Sequence, residues 1–194
     1  MSFQFIIDNA QNIQINSQKL TAQTQSRSGK VKTRSLGVQP YEFVVTMPNG
    51  IRWSDNRTAI EAVNALGKTQ TDTIQLNNPG FSYLARYQGD VGGSISLTPG
   101  AGNTFTVNDT TYSGALFQPG DFIQPVGGRV YTVTNTVTGG TVNVHRPVTE
   151  SVSTSINYGT DVAWSVRCVQ MPTPTVFGYD QVRWSGEFVF VEVL

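Results

Sequence analysis

The chain has 194 residues, 13 acidic and 13 basic, so its formal charge at neutral pH is zero. That length supports one sizeable core or two small ones, and the balance excludes a global field that would draw the chain to nucleic acid or an anionic membrane. A single cysteine, Cys168, excludes an internal disulfide framework and fits folding in a reducing cytoplasm, while 19 glycines among abundant Thr, Asn, Gln and Ser favour β structure with many turns.

The opening MSFQFIIDNAQ has no basic start and no long apolar run, so no secretory signal is expected. No stretch approaches the roughly 20 apolar residues of a membrane helix. Phe3, Phe5 and Ile7 alternate with Ser2, Gln4 and Ile6, Asp8-Asn9 turns the chain, and Ile13 and Ile15 alternate again. This predicts a hairpin with one buried face.

Residues 17–39 carry Lys19, Arg27, Lys30, Lys32 and Arg34 and no acid. The plain reading is a solvated loop or a long exposed hairpin. The sharper one is an arm that lies on a neighbouring subunit. A nucleic-acid patch is the weakest, because few aromatics interleave with the charges to stack bases.

Tyr41, Phe43, Val45 and Met47 then alternate as a strand, Pro48-Asn49-Gly50 turns, and Ile51 and Trp53 follow. One helix is predicted, near residues 58–66. Thr58 and Glu61 have capping-box spacing, Ile60 and Val63 give an apolar stripe, and Gly67 stands where the chain turns left-handed. A helix this short needs packing on a sheet. Residues 73–76 are a strand candidate.

Asn77-Asn78-Pro79-Gly80 breaks the pattern, and charge thins out to about residue 157. Strands are predicted at 94–97, 104–107, 122–124, 129–137, 141–145 and 151–156. Pro119-Gly120-Asp121 and Gly127-Gly128 mark turns between them. After Tyr158-Gly159, a strand runs over 162–167, Met171 to Pro174 forms a rigid connector, and 182–184 and 187–194 finish the chain. The terminal EFVFVEVL reads as a paired strand covered on both faces by helix, sheet or another subunit. The organisation is therefore discontinuous, with an outer β domain from residues 1–76 and 158–194 and an inserted β-barrel-like module over 77–157.

Chemistry-bearing residues are sparse. His145 reads as a half-exposed strand residue and Cys168 as a small buried one, a nucleophilic pairing of the two being the remote alternative. The carboxylates form no metal-loop pattern. Gly89-Asp90-Val91-Gly92-Gly93 lacks the Lys and Ser/Thr of a phosphate loop. Asp121 is expected to cap its own turn. Trp53, Trp164 and Trp184 read as core residues, and a sugar-stacking role would need one of them exposed.

Several segments together carry a family resemblance: the basic run ending Thr33-Arg34-Ser35-Leu36-Gly37 before the 41–47 strand and Pro48, the helix AIEAVNALG, PGDFIQ and GGRVYTVT in the inserted module, and the closing strand with Glu192. In this layout the chain resembles tail-tip and baseplate proteins of tailed bacteriophages, the ring-forming distal tail proteins and the hub or tube-initiating proteins related to the tail tube. The resemblance implies a mainly β, tail-tube-like barrel or sandwich with one short helix and the inserted module. It implies a structural subunit; an enzyme is a third possibility that lacks any recognisable constellation of residues, and no cofactor or metal is expected. Such subunits join sheet edges into a ring, commonly a hexamer, between the tail tube and the hub or adsorption apparatus. Arg27, Lys30, Lys32 and Arg34 would then bridge to the next subunit or ring. The partners implied are further copies, other tail tube, hub and baseplate proteins, and DNA passing the lumen without specific binding, with no membrane. The implied location is the virion tail, reached through the host cytoplasm. A ring also suits long strands, whose edges must be paired or covered. The competing expectation is a β-sandwich module that binds carbohydrate or a receptor.

Overall fold

The structure, a computed structural model, describes residues 2–17, 21–35, 40–90, 95–108 and 114–194, apart from the side chains of Thr21 and Ser35. Of the positions named above, Lys19, Leu36, Gly37, Val91, Gly92 and Gly93 lie outside the described residues, as does the start of the strand predicted at 94–97. The fold is mainly β. In chain order the first half holds α1 (Gln4–Asp8), β1 (Asn12–Asn16), β2 (Thr21–Gln25), β3 (Val31–Ser35), β4 (Glu42–Thr46), β5 (Ile51–Arg52), α2 (Trp53–Leu66) and β6 (Thr71–Gln75). The middle holds β7 (Ser96–Pro99), β8 (Thr104–Val107), β9 (Phe122–Pro125), β10 (Tyr131–Thr132), β11 (Thr141–Asn143) and β12 (Thr154–Tyr158). The chain closes with β13 (Ala163–Gln170), β14 (Pro174–Phe177), β15 (Gln181–Trp184) and β16 (Phe188–Glu192).

β16 lies at the centre of a five-stranded antiparallel sheet of order β1-β4-β16-β13-β6. Strand side chains alternate between faces, so Phe188, Phe190 and Glu192 share one face with Phe43, Val45, Val166 and Cys168. Phe3, Ile6 and Ile7 of the N-terminal segment and Ile60 and Val63 of α2 close this face into one cluster. On the other face Val44, Val189 and Val191 are half-buried and Val169 is exposed. The closing strand is therefore fully covered on one face only within the chain.

The N-terminal segment corrects the hairpin expectation, because Gln4–Asp8 is helical. Phe3, Ile6 and Ile7 are the residues buried there, and that is helical spacing rather than alternation. The Gln4 side chain explains why this helix sits where it does. Its amide accepts from the Gln75 N–H at 2.8 Å and donates to the Gln75 carbonyl at 3.0 Å, acting as one more strand on the free edge of β6. Gln124 does the same at the other end of that row, accepting from Ala163 N–H at 2.9 Å and donating to its carbonyl at 2.8 Å. Since Ala163 pairs with Gln75, both ends of the row are closed by glutamine amides.

Helix α2 starts five residues before the predicted capping box, so Thr58 and Glu61 lie inside it, and the described residues hold two α-helices instead of the one expected. Its cap comes from elsewhere in the chain. Trp53 N–H donates to the Asp180 carbonyl at 3.0 Å and Ser54 N–H to the Asp180 carboxylate at 2.9 Å. A carboxylate there also complements the helix dipole. Gly67 ends the helix at φ +56°, as its position predicts. The Met171–Pro174 connector feeds a further strand, β14, in a sheet of order β14-β15-β5. The run predicted as one strand over 129–137 is instead β10 followed by single bridges at Val133 and Val137.

Strands β7 to β12 form a separate six-stranded sheet of order β10-β9-β12-β7-β8-β11, packed on its own cluster around Phe105, Phe117, Ile123 and Tyr131. Strand β9 serves both cores. Ile123 faces the module cluster, while Phe122 faces the main one, 5.2 Å from Trp164 and 5.9 Å from Tyr41 between ring centres.

Candidate assembly surfaces and the buried junction

The basic run folds as the β2–β3 hairpin, in register from Ala22–Arg34 to Gln25–Val31. Every side chain from Gln23 to Arg34 is exposed. Alternation places Lys32 and Arg34 on one face with Thr24 and Ala22. Arg27 and Lys30 belong to the connecting turn, closed by Ser26 N–H donating to the Lys30 carbonyl at 2.9 Å. The structure thus brings Arg27, Lys30, Lys32 and Arg34 together on one projecting element that has no core of its own. An isolated two-stranded hairpin is marginally stable in water.

The module turns do more than reverse the chain. Pro119 and Gly120 are exposed, Gly120 at φ +99°, but Asp121 is buried. Its carboxylate accepts from Gln118 N–H at 2.8 Å, capping its own turn, and from Gln88 N–H at 3.0 Å, which ties the module's entry to that turn. Burial raises the Asp121 carboxyl above its usual value, against the two N–H groups that favour its charge. At Gly127 φ is +75°, and at Gly128 a Cβ would stand 2.6 Å from Glu150 Oε1. Glu150 uses that oxygen to accept from Arg129 N–H at 3.0 Å and its other one to accept from the Tyr131 hydroxyl.

Between the module and the main sheet lies a junction that the sequence reading did not single out. Arg146 and Glu192 are both buried and meet side to side, Nη1 to Oε2 at 2.7 Å and Nη2 to Oε1 at 2.6 Å. The guanidinium also donates to the Val130 carbonyl and lies against the rings of Tyr41 and Tyr131, 5.4 and 5.2 Å from their centres. Glu192 Oε2 accepts from Tyr41 N–H at 3.2 Å, and Tyr41 hydroxyl bonds Thr132 of the module. Burial works against the charge on Arg146, and Glu192 more than offsets it, holding the guanidinium above its ordinary value. Burial likewise raises the Tyr41 phenol. The signal was available in the pattern, since Glu192 has the parity of Phe188 and Phe190 and Arg146 that of Val142 and Val144. Each is a charge at a core-facing step.

His145 belongs to the same junction. Its Nδ1 accepts from Thr132 N–H at 2.9 Å and its ring lies 5.3 Å from that of Tyr41. Cys168 is buried in the main cluster, its thiol donates to the Gln170 carbonyl at 3.1 Å, and burial pushes it up to about 11. That is the environment of an inert thiol, because the thiolate is the nucleophile. Trp164 and Trp184 are buried and Trp53 is half-buried, so no tryptophan is fully exposed. Among the described residues no group of three or more His, Cys, Asp or Glu is placed to hold a metal ion.

Compared with protein-family models and with curated proteins, the chain matches none.

Proposed function

We propose that this chain is a structural subunit of a bacteriophage tail tip or baseplate, one of a ring, commonly a hexamer, that joins the tail tube to the hub or adsorption apparatus. The observation that carries the reading is the projecting β2–β3 hairpin. It is basic, exposed along its length and without a core, so a neighbouring subunit that covers it supplies what the chain itself does not. The sheet edges point the same way. Gln4 closes the β6 edge, while β1 ends the sheet on the other side as an edge strand that leads toward the hairpin. An asymmetric pair of edges suits subunits repeated around a ring. The buried Arg146–Glu192 pair holds the inserted module rigidly to such a subunit, where it presents its surface to an adjoining baseplate protein. In this reading the role is mechanical, with no reaction and no cofactor, and DNA crosses the lumen without specific contact.

The test is localisation in an assembled particle. Gold labelling of a tagged copy, or density matching this fold, is expected in a ring at the end of the tail tube. A chain found outside the tail, or a stable purified monomer that binds glycan and never enters particles, overturns the proposal.

A further inference from the structure

The outer face of the β14-β15-β5 sheet carries side chains that the core does not use. Cross-strand neighbours share a face, so Phe177 lies beside Gln181 and Gln181 beside Arg52, and the next row sets Thr175 beside Arg183. Val182 and Trp184 take the opposite face and are buried. The first set therefore points outward: Arg52, Gln181 and Arg183 are exposed, and Phe177 is 51% exposed. The same register brings Gly50 level with Arg183. A Cβ at Gly50 would meet no atom within 4 Å, so that row ends in open space rather than in a side chain.

That space is a recess of about 310 Å³, lined by Asn49, Gly50, Phe177, Gln181, Val182 and Arg183. Its size is at the lower end of small-molecule sites, about 300–1,000 Å³, which suits one ring and its substituents better than a length of polypeptide. One wall is the Phe177 ring. Two carboxamides and a guanidinium make its polar part, and the side chains of Asn49, Gln181 and Arg183 neither hydrogen-bond nor ion-pair with another group among the described residues. The hairpin end is held still. Asp180, next to Gln181, adopts left-handed backbone at φ +62°, and its carbonyl and carboxylate accept from Trp53 N–H and Ser54 N–H. The segment that carries Phe177 and Gln181 is thereby tied to the start of α2, which leaves little ordering to oppose binding.

We infer that this recess binds a carboxylated sugar unit, a uronic or sialic acid, of a surface polysaccharide. Arg183 pairs with the carboxylate, which a guanidinium can meet with two parallel hydrogen bonds. The Phe177 ring covers the C–H face of the sugar. The amides of Asn49 and Gln181 each offer donors and an acceptor, which is what adjacent hydroxyls require. A neutral sugar would leave the guanidinium without a partner. A single-stranded nucleic acid would use several aromatic rings in a row, and this recess has one. The inference concerns a ligand of this one chain and does not rest on the tail reading.

The experiment titrates sodium glucuronate into the full chain, labelled with nitrogen-15, and follows its amide signals. Shifts are expected at residues 49–52 and 175–183, saturating at about millimolar concentration, as suits a single small unit in an open site. Glucose, which lacks the carboxylate, and acetate, which lacks the ring, should each bind at least about 10-fold more weakly. Arg183→Gln and Phe177→Ala should each weaken glucuronate binding by about the same factor. Their melting midpoints should stay within about 2 °C of the natural chain, because both side chains face water. Polygalacturonate should compete with glucuronate at an equal concentration of sugar units. No shift in these segments up to about 50 mM glucuronate, equal binding of glucose or acetate, or unchanged binding in Arg183→Gln overturns the inference. A polymer that fails to compete overturns its polysaccharide part, and a short oligothymidylate that displaces glucuronate more tightly than the polymer does overturns the choice of ligand. Imaging of particles tests the tail reading separately, so failure of one leaves the other to its own result.

Discussion

Replacing Glu192 by Ala is expected to unfasten the inserted module. The substitution deletes two charge-assisted hydrogen bonds to Arg146 at 2.6 and 2.7 Å and the acceptor of Tyr41 N–H. The guanidinium stays buried, with the Val130 carbonyl and two aromatic faces against it. Breaking a buried pair from one side costs about 3–5 kcal/mol, a large part of the roughly 5–15 kcal/mol that keeps a domain folded. For a chain of this size that is a fall of very roughly 6–20 °C in melting midpoint. Urea unfolding should be followed by two probes. Trp164 packs on Phe122 of the 77–157 module, so in a Trp164→Phe background the fluorescence of Trp53 and Trp184 reports the main domain, while far-UV circular dichroism reports both. The two transitions are expected to coincide in that background and to separate when Glu192→Ala is added. The double variant Arg146→Met/Glu192→Leu should recover most of the loss, because an apolar pair of similar volume removes the stranded charge. A cost below about 1 kcal/mol for the single variant, or a double variant as unstable as the single one, would refute the assignment of the junction to this ion pair.

Gly128→Ala brings a Cβ to 2.6 Å from Glu150 Oε1, which is already engaged with Arg129 N–H, and is expected to cost about 1–3 kcal/mol in urea unfolding, whereas Val126→Ala nearby, at an exposed side chain, should stay within about 0.5 kcal/mol. Cys168 should resist a disulfide reagent in the native chain at neutral pH and react once the chain unfolds. Its folded value of about 11 lies above the 9.0 of an ordinary thiol, so its contribution to stability is complete below about pH 9 and falls as pH rises through the interval between them. Stability measured across that interval should decline more in the natural chain than in Cys168→Ala. Asp180 is held below the usual carboxylate range by its hydrogen bonds from Ser54, so its support of α2 is present above that range and is lost on acidification, visible as a helical signal in Asp180→Asn that no longer depends on pH there. Replacing Arg27, Lys30, Lys32 and Arg34 by Ser should leave the monomer's melting midpoint unchanged, since all four are exposed, and reduce incorporation into tails; an unfolded monomer or normal assembly would each count against the arm.

Alternation and turn chemistry determined much of this protein from the sequence alone. The buried series Tyr41, Phe43, Val45 and Met47, the centre of the closing strand, the glycine turns and the exposed basic hairpin are all local patterns, and a strand with one buried face carries its period in its own residues. The misses have a common physical cause. Phe3 to Ile7 offers both periods, and what selects the helix is Gln4 pairing with the backbone of Gln75, 71 residues away. The start of α2 is set by Asp180, 126 residues from Ser54, so a local capping box inside the helix misplaced it. Arg146 and Glu192 are separated by 46 residues, and each on its own is only a charge at an apolar step. The left-handed turn at Tyr179 and Asp180 is held by the hydrogen bonds of Asp180 to Trp53 and Ser54 at the start of α2. Local propensity and periodicity thus specified the elements, while the tertiary structure decided the helix starts, the anchoring of the module and the candidate contacts. Those depend on hydrogen bonds and charges between distant segments, whose energies exist only once the chain has closed.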